Sequence, residues 1–355
     1  MKEKVLVAMS GGVDSSVAAA LLLEQGYDAV GVTMRLWSES AAHKRQGCCS
    51  LDDVNDARRV ADRLGIPHYV MNMKEQFKKN VVDYFVSEYM KGRTPNPCIA
   101  CNRVLKFDIL LNRARQLGIS KLATGHYARI SREAEGYVLR RGVDRNKDQS
   151  YFLFDIPDEK LGSILFPVGE LTKGKTRELA AKYGLKTAEK PESQEICFVP
   201  DDDYAAFIES YADTIERGVI TTRNGNVLGE HEGIPYYTIG QRRRIGVSHP
   251  RPLYVTAIEP AENRLVVGTE EELYAKSMTL GNITLHMPIA KGQEVKVQLR
   301  YRARPVKATV HFVGEGAKVV FAEPARAVTP GQAAVFYIGD VVAGGGWIET
   351  FSGGS

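Results

Sequence analysis

Long apolar runs are missing from this chain. Among its 355 residues no stretch reaches the roughly 18 apolar positions of a membrane-spanning helix, and the apolar run within the opening MKEKVLVAMSGG is too short for a signal peptide. The expectation is a cytoplasmic protein with no membrane partner. Cysteine is scarce, and its count of five is odd, which argues against a disulfide framework of the secreted kind and brings reactive or metal-binding thiols forward. A strong excess of one charge is also absent: 47 Lys and Arg against 43 Asp and Glu leave +4, a balance that neither demands nor excludes nucleic acid. No internal repeat of the solenoid kind is present. Apolar residues at 44% and charged residues at 25% argue against disorder, collagen and coiled coil.

What is present reads as more than one domain. The first two-thirds alternates short β-branched runs with helical ones, the pattern of a parallel sheet covered by helices. The pattern predicts strands over residues 4–9, 29–36, 68–73 and 121–124. It predicts helices over 15–25, from an N-cap at Ser50 to 64, over 75–90, over 107–117, and from an N-cap at Thr172 to about 183. Two prolines in KGRTPNPCIACN predict an extended loop there. After about residue 210, short strands punctuated by glycine turns predict β-rich modules, the last a small barrel. The expected division is an α/β domain over residues 1–205, a central β-rich domain over 206–275 and a β-barrel-like domain over 276–355. The last holds nine Lys or Arg against five Asp or Glu, an excess equal to the whole net charge.

SGGVDSS, residues 10–16, falls between a predicted strand and a predicted helix, where backbone N–H groups and the helix dipole bind phosphate. Gly11 and Gly12 allow close approach of an anion, Asp14 can cap the turn or hold a metal, and Ser15 and Ser16 offer hydroxyls. No lysine follows the glycines, which separates the string from a Walker A loop, and it resembles the PP-loop of ATP pyrophosphatases. A second string, GELTKGKT at residues 169–176, formally matches G-x-x-x-x-G-K-[ST]. Glu170 would stand inside its phosphate cradle and Pro167 interrupts the strand leading in, so it reads as a coincidence with Thr172 as a helix cap.

Cys98 and Cys101 form a CxxC, and Cys197 stands far away in ESQEICF. Alone, a CxxC is ambiguous between redox chemistry and metal binding. Beside a PP-loop it suits sulfur transfer, in which a persulfide delivers its terminal sulfur and a second thiol then takes up the carrier as a disulfide. Cys48 and Cys49 are adjacent, so their side chains diverge, and they read as structural.

With those motifs, the chain resembles the tRNA-specific 2-thiouridylases over nearly its full length. The resemblance is carried by SGGVDSS, Cys101-Asn102 after PNP, TGHYAR, KDQSYFL, ESQEICF, GQRR, RYR, PGQAAVFY and GGGWI, in that order. It implies a PP-loop (adenine nucleotide α-hydrolase-like) domain followed by two smaller β-rich domains, and ATP-dependent replacement of the wobble uridine C2 oxygen by sulfur. By position it implies Cys197 as the persulfide carrier and Cys101 as the nucleophile that ends as its disulfide partner. It implies ATP at Ala8, Met9, Ser10, Gly11, Gly12, Val13, Asp14 and Ser15, with Met34 and Gly125 near the adenosine. Asn96, Pro97 and Cys98 would border the target base. His126, Lys147, Asp148, Gln149, Arg300, Tyr301 and Gln332 would meet tRNA. Mg²⁺ is expected with ATP, and the sulfur donor would be a cysteine desulfurase or a sulfur-relay protein. Some family members have Asp at the position of Cys98. A three-cysteine iron–sulfur cluster on Cys98, Cys101 and Cys197 is therefore a second route, ranked behind the metal-free one.

The cationic runs QRRRIGVSHPR, residues 241–251, and RYRARPVK, residues 300–307, are expected to meet RNA phosphates and unpaired bases. Two rival functions remain at this level. One is a PP-loop amide or amidine synthetase, which has no use for distant cysteines; the other is a non-catalytic RNA-binding protein that senses ATP.

Overall fold

The computed structural model describes residues 2–36, 51–190, 196–199, 203–212 and 214–353. Cys48, Cys49, the N-cap expected at Ser50 and the first residues of ESQEICF lie outside them. Among the described residues no helix is long and apolar enough to cross a membrane. The chain forms two compact units. One holds residues 1–81, 98–202 and 339–342; the other holds 82–97, 203–338 and 343–355.

The first unit is built on a five-stranded parallel sheet. Its strands are β1 (Lys4–Ala8), β2 (Asp28–Arg35), β3 (His68–Asn72), β4 (Lys121–Ala123) and, later in the chain, Ile164–Leu165, and the order across the sheet is β3-β2-β1-β4 and then that last strand. Val5, Leu6 and Val7 are buried consecutively, as expected of a parallel strand covered on both faces. Helix α1 (Val13–Glu24) follows β1, and its Val17, Ala18, Ala19 and Leu22 join Val5, Val7 and Met9 in one core. Helix α2 (Leu51–Leu64) buries Val54, Ala57, Val60 and Ala61 along one stripe, with Asp52 and Asp53 in its first turn and Arg63 in its last, as the helix dipole favours. Because β2 and β4 leave β1 on opposite sides, the loop after β1 lies where the strand order reverses, the usual ligand position of such sheets.

One expectation fails here. KGRTPNPCIACN is not extended throughout: helical turns start at Pro97–Ala100 and continue through Cys101–Leu110 and Leu111–Gln116. Proline at the first helical position loses no hydrogen bond, because that N–H has no partner inside a helix anyway. Only the part before Pro97 is non-helical. A hairpin that the sequence pattern did not single out, β5 (Ala128–Glu133) with β6 (Gly136–Arg141), also belongs to this unit. Arg129 and Arg140 of the hairpin clamp Asp340, each at 2.6 Å. Burial opposes the charge of Asp340, but the two guanidiniums outweigh it and hold the carboxyl below its ordinary value.

With Ile164–Leu165 taken as β7, the second unit continues the numbering. Its smaller sheet joins β8 (Gly218–Thr222), β9 (Val227–His231), β10 (Tyr254–Glu259) and β11 (Arg264–Gly268) in the order β10-β11-β8-β9, around Ile220, Tyr237, Val255, Leu265 and Val267. Six further strands are β12 (Tyr274–Leu285), β13 (Glu294–Gln298), β14 (Val306–Val313), β15 (Gly316–Arg326), β16 (Ala333–Ile338) and β17 (Val341–Ser352). They run in the order β12-β15-β14-β13-β16-β17, and β17 pairs back onto β12, so these six strands close into a barrel. Alternating residues such as Ala317, Val319 and Phe321 of β15 fill its interior.

Candidate active site

The phosphate loop starts as β1 ends at Ala8. Met9 is held in line by its N–H to Val32 O, at 2.8 Å, and by Thr33, whose hydroxyl donates to Met9 O at 2.8 Å. Gly11 has φ +74, and a Cβ there would collide with the Asp53 carbonyl, so glycine is required twice over. Gly12 caps α1 without a capping side chain, leaving the first-turn amides of the helix for an anion. Ser15 Oγ accepts from Ser10 N–H at 3.2 Å and lies 3.3 Å from Ser10 Oγ. Ser16 corrects the expectation drawn from the motif: it is fully buried and donates to Gly12 O at 2.8 Å, so it builds the loop instead of reaching phosphate. Met34 lies near the end of β2, and Gly125 just beyond β4. A Cβ at Gly125 would come 2.5 Å from Ser15 N, so the two chain segments touch backbone to backbone beside the loop.

Asp14 is the centre of a network that local sequence could not reveal. Lys173 donates to both its oxygens, at 2.7 and 2.9 Å, and the Tyr127 hydroxyl donates to Oδ1 at 2.8 Å. The same Tyr127 hydroxyl lies 3.0 Å from Thr176 Oγ1. Lys173 stands in the string that formally matches a Walker loop. Thr172 does cap the helix Lys173–Lys182, accepting from Lys175 N–H at 3.3 Å, and Lys175 itself lies on the surface with Glu178. The residue of that string which matters is thus Lys173, whose partner is 159 positions away. The faint signal was a lysine directly after a helix cap.

From Tyr127 a chain of contacts leads to the cysteine helix. Gln149 and Tyr127 exchange two hydrogen bonds, Tyr127 N–H to Gln149 Oε1 at 3.0 Å and Gln149 N–H to Tyr127 O at 2.8 Å. Asp148 accepts from Gly142 N–H and Ser150 N–H and pairs with Arg141, and Lys147 N–H closes a turn on Asp144 O. Phe152 O, at the end of that stretch, accepts from Asn102 Nδ2 at 3.2 Å, and Arg103 pairs with Asp155 at 2.7 Å. Asn102 therefore fixes the helical turn on which Cys98 and Cys101 stand one turn apart, both half-buried thiols. His126 has its Nδ1 2.6 Å from Thr124 Oγ1, and its ring packs against Phe107 and Phe166. Burial, and then the Lys106 ammonium, hold its pKa well below the ordinary value, so it is a neutral imidazole.

Cys197 lies in a turn at residues 196–199, closed by Val199 N–H on Ile196 O, and is a half-buried thiol. Two anchors flank it. Phe198 packs edge-on against Phe77 at 5.4 Å. Upstream, the Lys190 ammonium donates to Gly11 O at 3.1 Å and to Asp53 and Asp56 at 2.7 Å each.

The residues fit ATP through the glycine turn, the helix N-terminus and the close approach of Gly125. For Mg²⁺ the loop offers one carboxylate, Asp14, already engaged by Lys173. Among the described residues no three His, Cys, Asp or Glu side chains converge as a metal site, Cys98, Cys101 and Cys197 included. A magnesium ion would be held mainly by the nucleotide's own phosphates, as Mg²⁺ commonly is.

In the second unit, Asn96 is buried, and Gln332 Nε2 donates to Thr94 O at 3.0 Å and Pro95 O at 3.2 Å. Arg300 Nη2 reaches Ile239 O, Ala327 O and Thr329 Oγ1 at 3.1, 3.2 and 2.6 Å. Both side chains thus brace loops from within. Tyr301 carries the Arg302 guanidinium over its ring at 5.9 Å. A cavity of about 380 Å³ is lined by Arg242, Arg244, His249 and Arg251, all exposed.

Three family models match the chain: a tRNA methyl transferase HUP domain over residues 3–201, a tRNA methyl transferase PRC-barrel domain over 205–269, and an aminomethyltransferase beta-barrel domain over 271–348. A tRNA-specific 2-thiouridylase MnmA of Carboxydothermus hydrogenoformans is 53% identical over 98% of this chain and 98% of its own. Its counterpart from Geobacter metallireducens is 50% identical over 98% and 97%. That of Clostridioides difficile is 48% identical over 98% and 99%. Among solved structures, a 4-thiouridine synthetase–RNA complex with bound ATP aligns with 59% of this chain and 50% of its own at 19% identity and a TM-score of 0.38, too slight a likeness to bear on function. With half of its residues identical to these relatives from end to end, the chain belongs to the tRNA-specific 2-thiouridylase family.

Proposed function

We propose that the protein is a tRNA-uridine 2-sulfurtransferase that activates the C2 oxygen of the wobble uridine with ATP and replaces it with sulfur carried by Cys197. The observation that carries this reading is the contact chain within the first unit. The phosphate loop is joined through Tyr127, Gln149 and Asn102 to the helix of Cys101, and it also bonds Lys190, seven positions before Cys197 in the sequence. The matching models are described by methyl transfer, which uses neither a phosphate loop nor paired thiols; thiolation uses both.

The residues divide the work as follows. Gly11, Gly12 and the first turn of α1 bind the polyphosphate, and Lys173 stands ready to neutralise charge on the pyrophosphate as it leaves. Asp14 and Tyr127 hold that ammonium in place. Uridine O2 attacks the α-phosphate, pyrophosphate departs, and the C2 oxygen becomes part of an AMP leaving group. The terminal sulfur of Cys197–S–S⁻ then attacks C2 and expels AMP. The Cys101 thiolate attacks Cys197 Sγ, breaks the S–S bond, leaves the electron pair on the sulfur now bound to C2, and ends as a Cys101–Cys197 disulfide. An external thiol reductant and a persulfide donor, a cysteine desulfurase or sulfur-relay protein, restore the enzyme. Mg²⁺, carried by the nucleotide, supplies charge neutralisation at the phosphates when bound. A cytoplasmic setting keeps such thiols reduced between turnovers.

Residues 1–205 carry this chemistry in our reading, while 206–275 and 276–355 receive RNA. Asn96, Pro97 and Cys98 border the flipped base, and His126, as a neutral hydrogen-bonding partner, meets RNA as do Lys147, Asp148 and Gln149. Arg300 and Gln332 shape the RNA-facing loops by bracing them, Tyr301 offers a stacking face, and the exposed Arg242, Arg244 and Arg251 meet phosphates. The test is to incubate the protein with ATP, unmodified tRNA and a persulfide donor, then measure AMP and digest the tRNA for 2-thiouridine by mass. Cys197→Ala abolishes thiolation; thiolation retained in that variant refutes the assignment.

A further inference from the structure

Two adjacent glycines give the phosphate loop its shape and also loosen it. The peptide joining Gly11 to Gly12 is flanked on both sides by residues without a Cβ, so it is the freest in the loop to turn over. Its orientation matters, because a trans peptide is planar and its C=O and N–H point in opposite directions. Whatever holds the Gly11 carbonyl therefore decides where the Gly12 N–H points, and that N–H stands at the N-terminus of α1, where an anion is received.

The group that holds it is Lys190. Its ammonium donates to Gly11 O at 3.1 Å and to the Asp53 and Asp56 carboxylates at 2.7 Å each. Burial opposes this charge, but the two carboxylates outweigh it and keep the Lys190 pKa above its ordinary value, so the cation persists at neutral pH. Lys190 is itself fixed from its N-terminal side. Its N–H closes a turn on Thr187 O at 3.1 Å, Ala188 O accepts from Arg177 Nη1 at 2.9 Å, and Leu185 is buried in the same core as Val13 and Val17 of α1. The carboxylates stand in the first two turns of α2, whose Asp53 carbonyl packs so close to Gly11 that no Cβ fits there. One ammonium thus bridges the loop, α2 and the turn after the helix Lys173–Lys182.

We propose that Lys190 is a positioning residue for the phosphate loop: by holding the Gly11 carbonyl it aims the Gly12 N–H at the polyphosphate. The same bond polarises the peptide and strengthens its N–H as a donor. Without the ammonium the Gly11–Gly12 peptide samples both orientations, and apparent affinity falls with the fraction that faces the ligand. Such a role divides the nucleotide in two, serving the phosphates and not the adenosine. The inference rests on the reading of this loop as the ATP site.

Calorimetric titration of the full-length protein tests it, once with an ATP analogue whose α and β phosphates are joined by a methylene and once with adenosine. In Lys190→Met affinity for the analogue falls by about tenfold, the scale of one charge-assisted hydrogen bond, while affinity for adenosine keeps its wild-type value. Lys190→Arg restores most of the analogue binding. A further variant separates positioning from plain charge. Lys190, Asp53 and Asp56 together carry one net negative charge. Lys190→Met combined with Asp53→Asn and Asp56→Asn carries none, which by charge alone favours a polyphosphate, yet it should bind the analogue as weakly as Lys190→Met. Wild-type analogue affinity in Lys190→Met overturns the proposal, and so does a triple variant that binds as well as the wild type. Equal losses for analogue and adenosine in a folded Lys190→Met overturn it too, since they mark a site damaged as a whole. Should Lys190→Met alone fail to fold, the triple variant, which leaves no unpaired carboxylate, makes the same comparison. A wild type that binds neither ligand refutes the ATP site and the proposal with it; a wild type that binds both, with any of those three results, refutes only the role of Lys190.

Discussion

Replacing Lys173 with methionine keeps most of the aliphatic stem but removes the ammonium, so Asp14 loses its counter-ion and the Tyr127 ring loses the cation 5.7 Å from its centroid. Two consequences follow, of different size. For stability, breaking a fully buried ion pair costs about 3–5 kcal/mol. Asp14 is 31% exposed and Lys173 is 11% exposed, so water screens part of the loss, and about 1–2 kcal/mol is expected. For ATP, one charge-assisted hydrogen bond to phosphate is lost, about 1.5–3 kcal/mol, and an unneutralised carboxylate is left beside the polyphosphate. At about 1.4 kcal/mol per tenfold, affinity for ATP falls by about ten- to hundredfold. Lys175→Met is the control: its pair with Glu178 is exposed on both sides, so stability changes by less than about 0.5 kcal/mol and ATP affinity does not change. Asp14→Asn combined with Lys173→Met recovers part of the stability lost in the single variant, because no unpaired charge remains. Urea denaturation and calorimetric titration with a non-cleavable ATP analogue read both effects. Wild-type ATP affinity in Lys173→Met together with loss of binding in Lys175→Met would refute the reasoning and restore the Walker-like reading of residues 169–176.

Three other outcomes are expected. Cys101→Ser stalls after sulfur attack and accumulates a protein–tRNA adduct joined through Cys197, seen on a non-reducing gel and released by dithiothreitol. Arg242→Ala with Arg244→Ala weakens tRNA binding, lowers the slope of log affinity against log salt by about 2, and leaves ATP binding unchanged; an unaltered slope removes these residues from the RNA surface. Burial lowers the pKa of His68, His126 and His231 in the folded protein, so the unfolded chain takes up their protons first. Stability is then level above the ordinary histidine value of about 6.5 and declines as pH falls below it, and denaturation midpoints constant down to pH 5 would contradict this.

The parallel-sheet half was legible because its strands are short, β-branched and separated by capped helices. The strands expected at 4–9, 29–36 and 68–73 end within a residue of Ala8, Arg35 and Asn72. Thr172 was legible as a cap because its signal is local. The helical turn at Pro97 was not, because a proline at the first helical position and one in a loop look alike without the chain that follows. Lys173 and Lys190 were invisible for another reason: their partners, Asp14 and Asp53, are 159 and 137 positions away, and no local spacing encodes such a meeting. The C-terminal barrel was legible from its short alternating strands, but which strands close it, β12 and β17, was not. Arg300 was legible as part of a cationic run, but its bonds to Ile239, Ala327 and Thr329, distant in sequence, were not.

Sulfur replacement at an ATP-activated carbonyl makes one stoichiometric demand. In a single turnover of the persulfide-loaded protein with ATP labelled at the α-phosphate and unmodified tRNA, one AMP and one pyrophosphate should appear for each 2-thiouridine formed; without Cys197 neither AMP nor 2-thiouridine should form, while pyrophosphate from the adenylation step still can. Formation of ADP and phosphate instead, or 2-thiouridine without AMP, would contradict activation by adenylation at this phosphate loop.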